Sequence, residues 1–81
     1  NLFKIVSDNS NKKLLVYNPK LKPLKSIKLY DTSGKEVYNL TVNKTSSIYE
    51  ISTYNISNGV FIAQIESTEN TSCSKRVIIN K

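Results

Sequence analysis

The sequence predicts an all-β domain, and three observations carry that expectation. Apolar and polar residues alternate with a period of two nearly throughout the chain. Nowhere do apolar residues recur at three-and-four spacing over three turns, and Ala, the best helix former, occurs once. Runs rich in Val, Ile, Leu, Tyr and Phe return about every eleven residues, the spacing of a sandwich or a small barrel. Periodicity leaves the choice between those two open.

Taken in order, the expected strands are Leu2–Val6, Leu14–Tyr17, Ser26–Tyr30, Glu36–Val42, Ser47–Ile51, Val60–Glu66 and Lys75–Asn80. Each is bounded by Asn, Ser, Asp, Thr, Gly or Pro. Pro19 and Pro23 bracket Lys20-Leu21-Lys22 and forbid a central strand there, so Asn18–Leu24 reads as a loop. In the third run Ile27 and Leu29 share one face, opposite Ser26, Lys28 and Tyr30. Tyr30-Asp31-Thr32-Ser33-Gly34-Lys35 then predicts a hairpin with a type I turn and a Gly bulge. An Asp at the first turn position bonds its own backbone, and Gly at the fourth supplies positive φ. Asn58-Gly59 predicts a tight entry into the sixth run. That run is apolar on both faces, with Val60 and Ile62 on one and Phe61, Ala63 and Ile65 on the other. Such a strand is either central or docks against something outside the domain. Ser67–Ser74 reads as a loop carrying Cys73.

Size and composition bound the function. The 81 residues make one domain, residues 1–81, with no room for a second core. The chain begins at Asn1 rather than Met, from which a piece of a longer protein is expected. There is no His, hence no imidazole base, no Ser–His or Cys–His pair and no His-ligated metal. One Cys makes neither an internal disulfide nor a zinc cluster. The longest apolar run, Val60–Ala63, falls far short of the roughly twenty residues of a membrane span. An ordinary enzyme is not expected, nor is any cofactor.

Charge is uneven. Residues 1–35 hold eight Lys and two Asp, whereas residues 36–81 hold four basic residues and four Glu, so the net +6 belongs to the first part of the chain. Solvated lysines that discourage edge-to-edge pairing account for it better than a nucleic-acid face, because eleven of the twelve basic residues are Lys and base readers favour Arg. Ser33-Gly34-Lys35 ends like a phosphate loop, but Leu29 stands where the first Gly belongs and Glu36 where Ser or Thr belongs. Glu66 and Glu69 are close enough to be paired carboxylates, yet their polar neighbours read as a solvated loop. Tyr17, Tyr30, Tyr38, Tyr49 and Tyr54 raise the alternative of a carbohydrate- or surface-binding module; sheet propensity alone explains them.

Three segments in order carry a family resemblance. They are Ile27-Lys28-Leu29-Tyr30-Asp31 with Ser33-Gly34-Lys35 and Val37-Tyr38, then Asn58-Gly59-Val60-Phe61-Ile62 leading into Gln64-Ile65, and finally Lys75-Arg76-Val77-Ile78-Ile79-Asn80-Lys81. This order resembles the type A C-terminal sorting domains of the type IX secretion system of Gram-negative bacteria. In that family a Tyr-Asp-x-x-Gly-Lys-x-Val hairpin precedes an Asn-Gly-Val-Tyr strand and a closing basic and aliphatic strand. The resemblance covers about Ser26–Lys81, and Leu2–Tyr17 loosely. Phe61 stands in place of the usual Tyr, and Ser67–Ser74 lacks the Gly common there.

The resemblance implies an immunoglobulin-like β-sandwich of about seven antiparallel strands at the end of a secreted cargo. It implies no chemistry of the domain's own. The implied partners are the outer-membrane translocon, a sortase-like peptidase and the upstream cargo, with transit through the periplasm to the medium or the cell surface. The residues it marks are Tyr30, Asp31, Gly34 and Lys35; Asn58, Gly59, Val60 and Phe61; and Lys75, Arg76, Val77, Ile78, Ile79 and Lys81. The first two groups hold the shape in this reading, and the third faces the machinery.

Overall fold

A computed structural model describes residues 3–81. Its strands are β1 (Lys4–Asp8), β2 (Lys13–Tyr17), β3 (Leu24–Tyr30), β4 (Glu36–Thr41), β5 (Ile48–Ser52), β6 (Gly59–Ser67) and β7 (Ser72–Ile79). They form two antiparallel sheets, one ordered β1-β2-β5 and the other β4-β3-β6-β7. The sheets face each other as a sandwich, which decides the question that periodicity left open.

Alternation explains the core directly. The inward positions are Ile5, Leu14, Val16 and Ile51 from the three-stranded sheet. Facing them are Leu24, Ile27, Leu29, Phe61, Ala63, Ile65, Val77 and Ile79 from the other. β6 lies between β3 and β7, as its two-faced apolar pattern allows. Its Phe61, Ala63 and Ile65 are buried, while Val60 remains exposed on the outer face.

Every strand departs from its expected bounds at one or both ends, most by a single residue, and the larger shifts have local reasons. The first strand runs to Asp8, and Leu2 lies outside the described residues. A short 3-10 turn over Asn9–Asn11 then reverses the chain. There Asp8 accepts hydrogen bonds from Ser10 Oγ (3.1 Å) and Asn11 Nδ2 (2.9 Å), and Lys12 adopts φ 56°. β3 starts at Leu24 rather than Ser26, because a bulge between Leu24 and Ser26 shifts the parity. Leu24 and Ile27, three residues apart, therefore both face inward. β7 starts at Ser72, so Cys73 is a half-buried strand residue opposite Ile65 rather than a loop thiol. The connection shrinks to residues 68–71 because Asn70 takes φ 63°, the geometry a Gly would otherwise supply. Ser67 N donates to Thr71 O (2.9 Å), closing that turn.

Asn18 fastens the far end of the sandwich. It is fully buried, donating through Nδ2 to Lys22 O and Ser46 O (3.0 Å each) and accepting from Lys22 N at 3.0 Å. Its own N–H donates to Ser47 O at 2.7 Å, so one side chain and its peptide tie the β2–β3 loop to the β4–β5 loop.

Urea unfolding checks this hierarchy. Ile27→Ala, at a fully buried site, is expected to cost about 2–5 kcal/mol. Asn18→Ala, which strands several backbone partners, is expected to cost about 1–3 kcal/mol. Ile78→Ala, on the outer face, stays within about 0.5 kcal/mol. Equal losses at Ile27 and Ile78 would contradict the assignment of faces.

Candidate functional site

The β3–β4 hairpin is built around one carboxylate. Asp31 Oδ1 accepts from Ser33 Oγ (2.6 Å), Lys35 N (2.9 Å) and Ser33 N (3.0 Å). Gly34 N donates to Asp31 O at 3.0 Å, and Asp31 N to Lys35 O at 2.9 Å. Gly34 sits at φ 89°, which completes the type I turn and Gly bulge that the sequence predicts. The Ser33 hydroxyl bond, followed by the Lys35 amide, holds the Asp31 carboxyl below the usual carboxylate range. Lys35 thus acts through its backbone, and its side chain is solvated.

The second motif works differently from the first. Gly59 has φ 153°, and a Cβ there would meet the Phe61 ring at 3.7 Å. Phe61 itself points into the core. The Asn58 Oδ1 accepts from Lys81 N at 2.9 Å, so this residue holds the tail of the chain.

The third motif closes the sandwich. Val77 and Ile79 are buried, whereas Ile78 is 56% exposed. Lys75 Nζ crosses to the other sheet and donates to Ile5 O at 3.0 Å. On the outer edge of β7, Asn9 Nδ2 donates to Ile78 O (3.4 Å) and Asn9 Oδ1 accepts from Asn80 N (3.1 Å). That side chain occupies two edge positions much as a neighbouring strand would. Lys81 Nζ donates to Tyr54 O at 2.9 Å.

The outer face of β3, β6 and β7 holds a shallow groove of about 570 Å³ lined by Tyr30, Asp31, Thr32, Gly34, Val60, Ile62, Gln64, Ser74 and Arg76. The register explains the convergence: Ile62 lies opposite Tyr30 on one side and opposite Arg76 on the other. One row across three strands therefore unites the three sequence segments. Of the expected site residues, Tyr30, Asp31, Gly34, Val60 and Arg76 line the groove. Ile78 flanks it opposite Val60. Phe61, Val77 and Ile79 lie in the core, and Lys35, Asn58, Gly59, Lys75 and Lys81 hold turns, sheets and tail in place. The residues marked by the family resemblance leave out Ile62, Gln64, Thr32 and Ser74, which line the groove as well. The two-faced pattern of β6 was the available signal for Ile62.

Other expectations resolve in the same geometry. Tyr17 lies on the three-stranded sheet, Tyr30 at the groove, and Tyr38 and Tyr49 against the core, while Tyr54 is exposed in a loop, so the tyrosines share no stacking platform. The Tyr49 hydroxyl is used internally, accepting from Ser46 N (2.9 Å) and donating to Lys44 O (3.1 Å). Glu66 pairs with Ser26 and Lys28, and Glu69 with Lys22, so the two carboxylates do not form an acid pair. Among the described residues no group of His, Cys, Asp and Glu is placed to hold a metal. Among the described residues no helix is long and apolar enough to cross a membrane. Three lysines of the basic first half face carboxylates of the second: Lys13–Glu50 at 2.7 Å, Lys22–Glu69 at 3.8 Å and Lys28–Glu36 at 3.9 Å.

Fold and surface together define an immunoglobulin-like β-sandwich module whose distinguishing feature is a sheet face rather than a cavity. A solved structure agrees on the architecture. A DUF3244 family protein from Bacteroides vulgatus, described as having an immunoglobulin-like β-sandwich fold, superposes with a TM-score of 0.82 at 17% identity, over 98% of this chain and 84% of that one. At that identity the likeness speaks for the fold alone. No curated protein matches the sequence. The family model described as "Secretion system C-terminal sorting domain" matches residues 6–80. The chain belongs to that family, the sorting domains of the type IX secretion system.

The hairpin makes a pH prediction. Because the Asp31 carboxyl is lowered in the folded state, its stabilising contribution is present above the unfolded pKa and is lost as pH falls through the folded one. Thermal melts of the native domain and Asp31→Asn are expected to differ at neutral pH and to converge on acidification. A gap that widens toward low pH would contradict this account.

Proposed function

We propose that this domain is a non-catalytic sorting signal that directs a fused upstream cargo through the type IX outer-membrane translocon. The cargo reaches the periplasm by a separate N-terminal signal and presents the folded sandwich to the translocon. A sortase-like peptidase then removes the domain, leaving the cargo released or attached to surface lipopolysaccharide. The observation that carries this reading is the meeting of residues from all three sequence segments, Tyr30, Asp31, Gly34, Val60 and Arg76, on one exposed face. Three segments serving only the fold would not need to place exposed side chains on a shared surface. Membership in the sorting-domain family supports the same role.

The test is a fusion of residues 1–81 behind a periplasm-directed fluorescent protein, expressed in a host that has the system. Fluorescence is expected in the medium or on the cell surface. Deleting residues 74–81 removes Val77 and Ile79 from the core and Arg76 from the groove, and export is expected to cease. Periplasmic retention of the intact fusion, or normal export of the truncation, would contradict the proposal.

A further inference from the structure

We infer that the groove across β3, β6 and β7 docks a short acidic and apolar protein segment, with Arg76 taking a carboxylate and the Tyr30–Ile62–Val60 floor taking the neighbouring apolar side chain. This rests on the sorting reading and adds to it the surface that is read and the chemistry of the partner.

Two independent features point there. The first is the partition of the outer face. At the end nearest the β3–β4 turn, Val60 is 39% exposed, Ile78 is 56% exposed, and Tyr30 and Ile62 are half-buried beside them. The opposite end carries Ser26, Lys28 and Glu66, joined by the Ser26–Glu66 hydrogen bond and the Lys28–Glu66 pair. An outer face that is sealed with polar contacts at one end and left apolar at the other is organised for contact at the apolar end.

The second feature is charge. Arg76 is the only Arg of the chain, and no hydrogen bond or ion pair engages its guanidinium among the described residues. Lys13, Lys22 and Lys28 each face a carboxylate, and Arg76 does not. Asp31, the one acid lining the groove, is tied into its own turn by three hydrogen bonds. Residues 70–81 contain no acid at all, so β7 itself offers Arg76 no carboxylate. The complement of an uncompensated guanidinium is a carboxylate held through two parallel N–H bonds. A phosphate could satisfy the same fork, but a sugar-phosphate surface offers nothing to the aliphatic floor. Arg and Tyr around an apolar centre are also the residues that dominate binding at protein interfaces. The groove is small, which fits a contact made and broken during transit.

The fluorescent fusion provides the test, with each variant first shown to keep its thermal midpoint as purified domain. Arg76→Glu is expected to lower the exported fraction by at least about tenfold, with Arg76→Lys intermediate. Lys20→Glu, the same charge change in the exposed β2–β3 loop, is expected to export like the parent. In exporting cells, Gln64→p-benzoylphenylalanine places a photoreactive ring in the groove, and the captured peptide is expected to contain Asp or Glu. If the parent fusion is not exported, the sorting reading fails. If it is exported and Arg76→Glu is exported equally well, the docking inference fails. Capture of lipopolysaccharide, of a peptide without a carboxylate, or of nothing during active export would overturn it as well.

Discussion

Strand β7 delivers Val77 and Ile79 to the core from its last residues, and both sheets depend on that delivery. Burying two such aliphatic side chains contributes about 3–6 kcal/mol, a large share of the roughly 5–15 kcal/mol that holds a small domain together. The strand is therefore held on every side. Its ladder to β6 supplies one, Lys75 bridges to Ile5 of the other sheet, and Asn9 and Asn58 fasten the last peptides. The outer face inherits this constraint, because the row Tyr30–Ile62–Arg76 exists only while β7 is paired. Fold closure and the exposed surface are two consequences of one ladder.

The same logic assigns different work to residues that look equivalent in sequence. In the segment from Lys75 to Lys81, successive side chains bridge the sheets, line a groove, fill the core, lie on the surface and fill the core again. Alternation along a strand enforces that division. A basic and aliphatic ending can thus serve stability through Val77 and Ile79 and contact through Arg76 and Ile78 without either compromising the other. The net positive charge plays a lesser part than its size indicates, since several lysines of the first half are matched by glutamates of the second.

Much of the fold was legible because a half-buried strand advertises its faces every second residue. Ile27 and Leu29, Phe61 and Ala63, and Val77 and Ile79 all lie inward as alternation requires. The Asp31 turn was legible for a similar reason, since its bonds are local. What escaped the sequence was where parity breaks or partners are distant. A bulge brought Leu24 inward, and polar Ser72–Ser74 reads as loop although an edge strand tolerates such residues. Asn70 did the work of a glycine in a turn where none was present. Asn18 and Asn9, two among ten asparagines, carry tertiary hydrogen bonds that no local pattern announces. The groove depends on the register between β3, β6 and β7, so its members were visible individually and its existence was not.

If β7 closes the sandwich in this way, it belongs to the cooperative core rather than forming a detachable tail. Native-state hydrogen exchange of the purified domain tests this most directly. Ile78 O and Asn80 N point to the outer edge, so the amides of Lys75, Val77 and Ile79 point into the β6 ladder. These amides are expected to exchange only through global unfolding, with the same free energy as those of Phe61–Ile65. Exchange of the β7 amides through a separate opening, while Phe61–Ile65 stay protected, would contradict it.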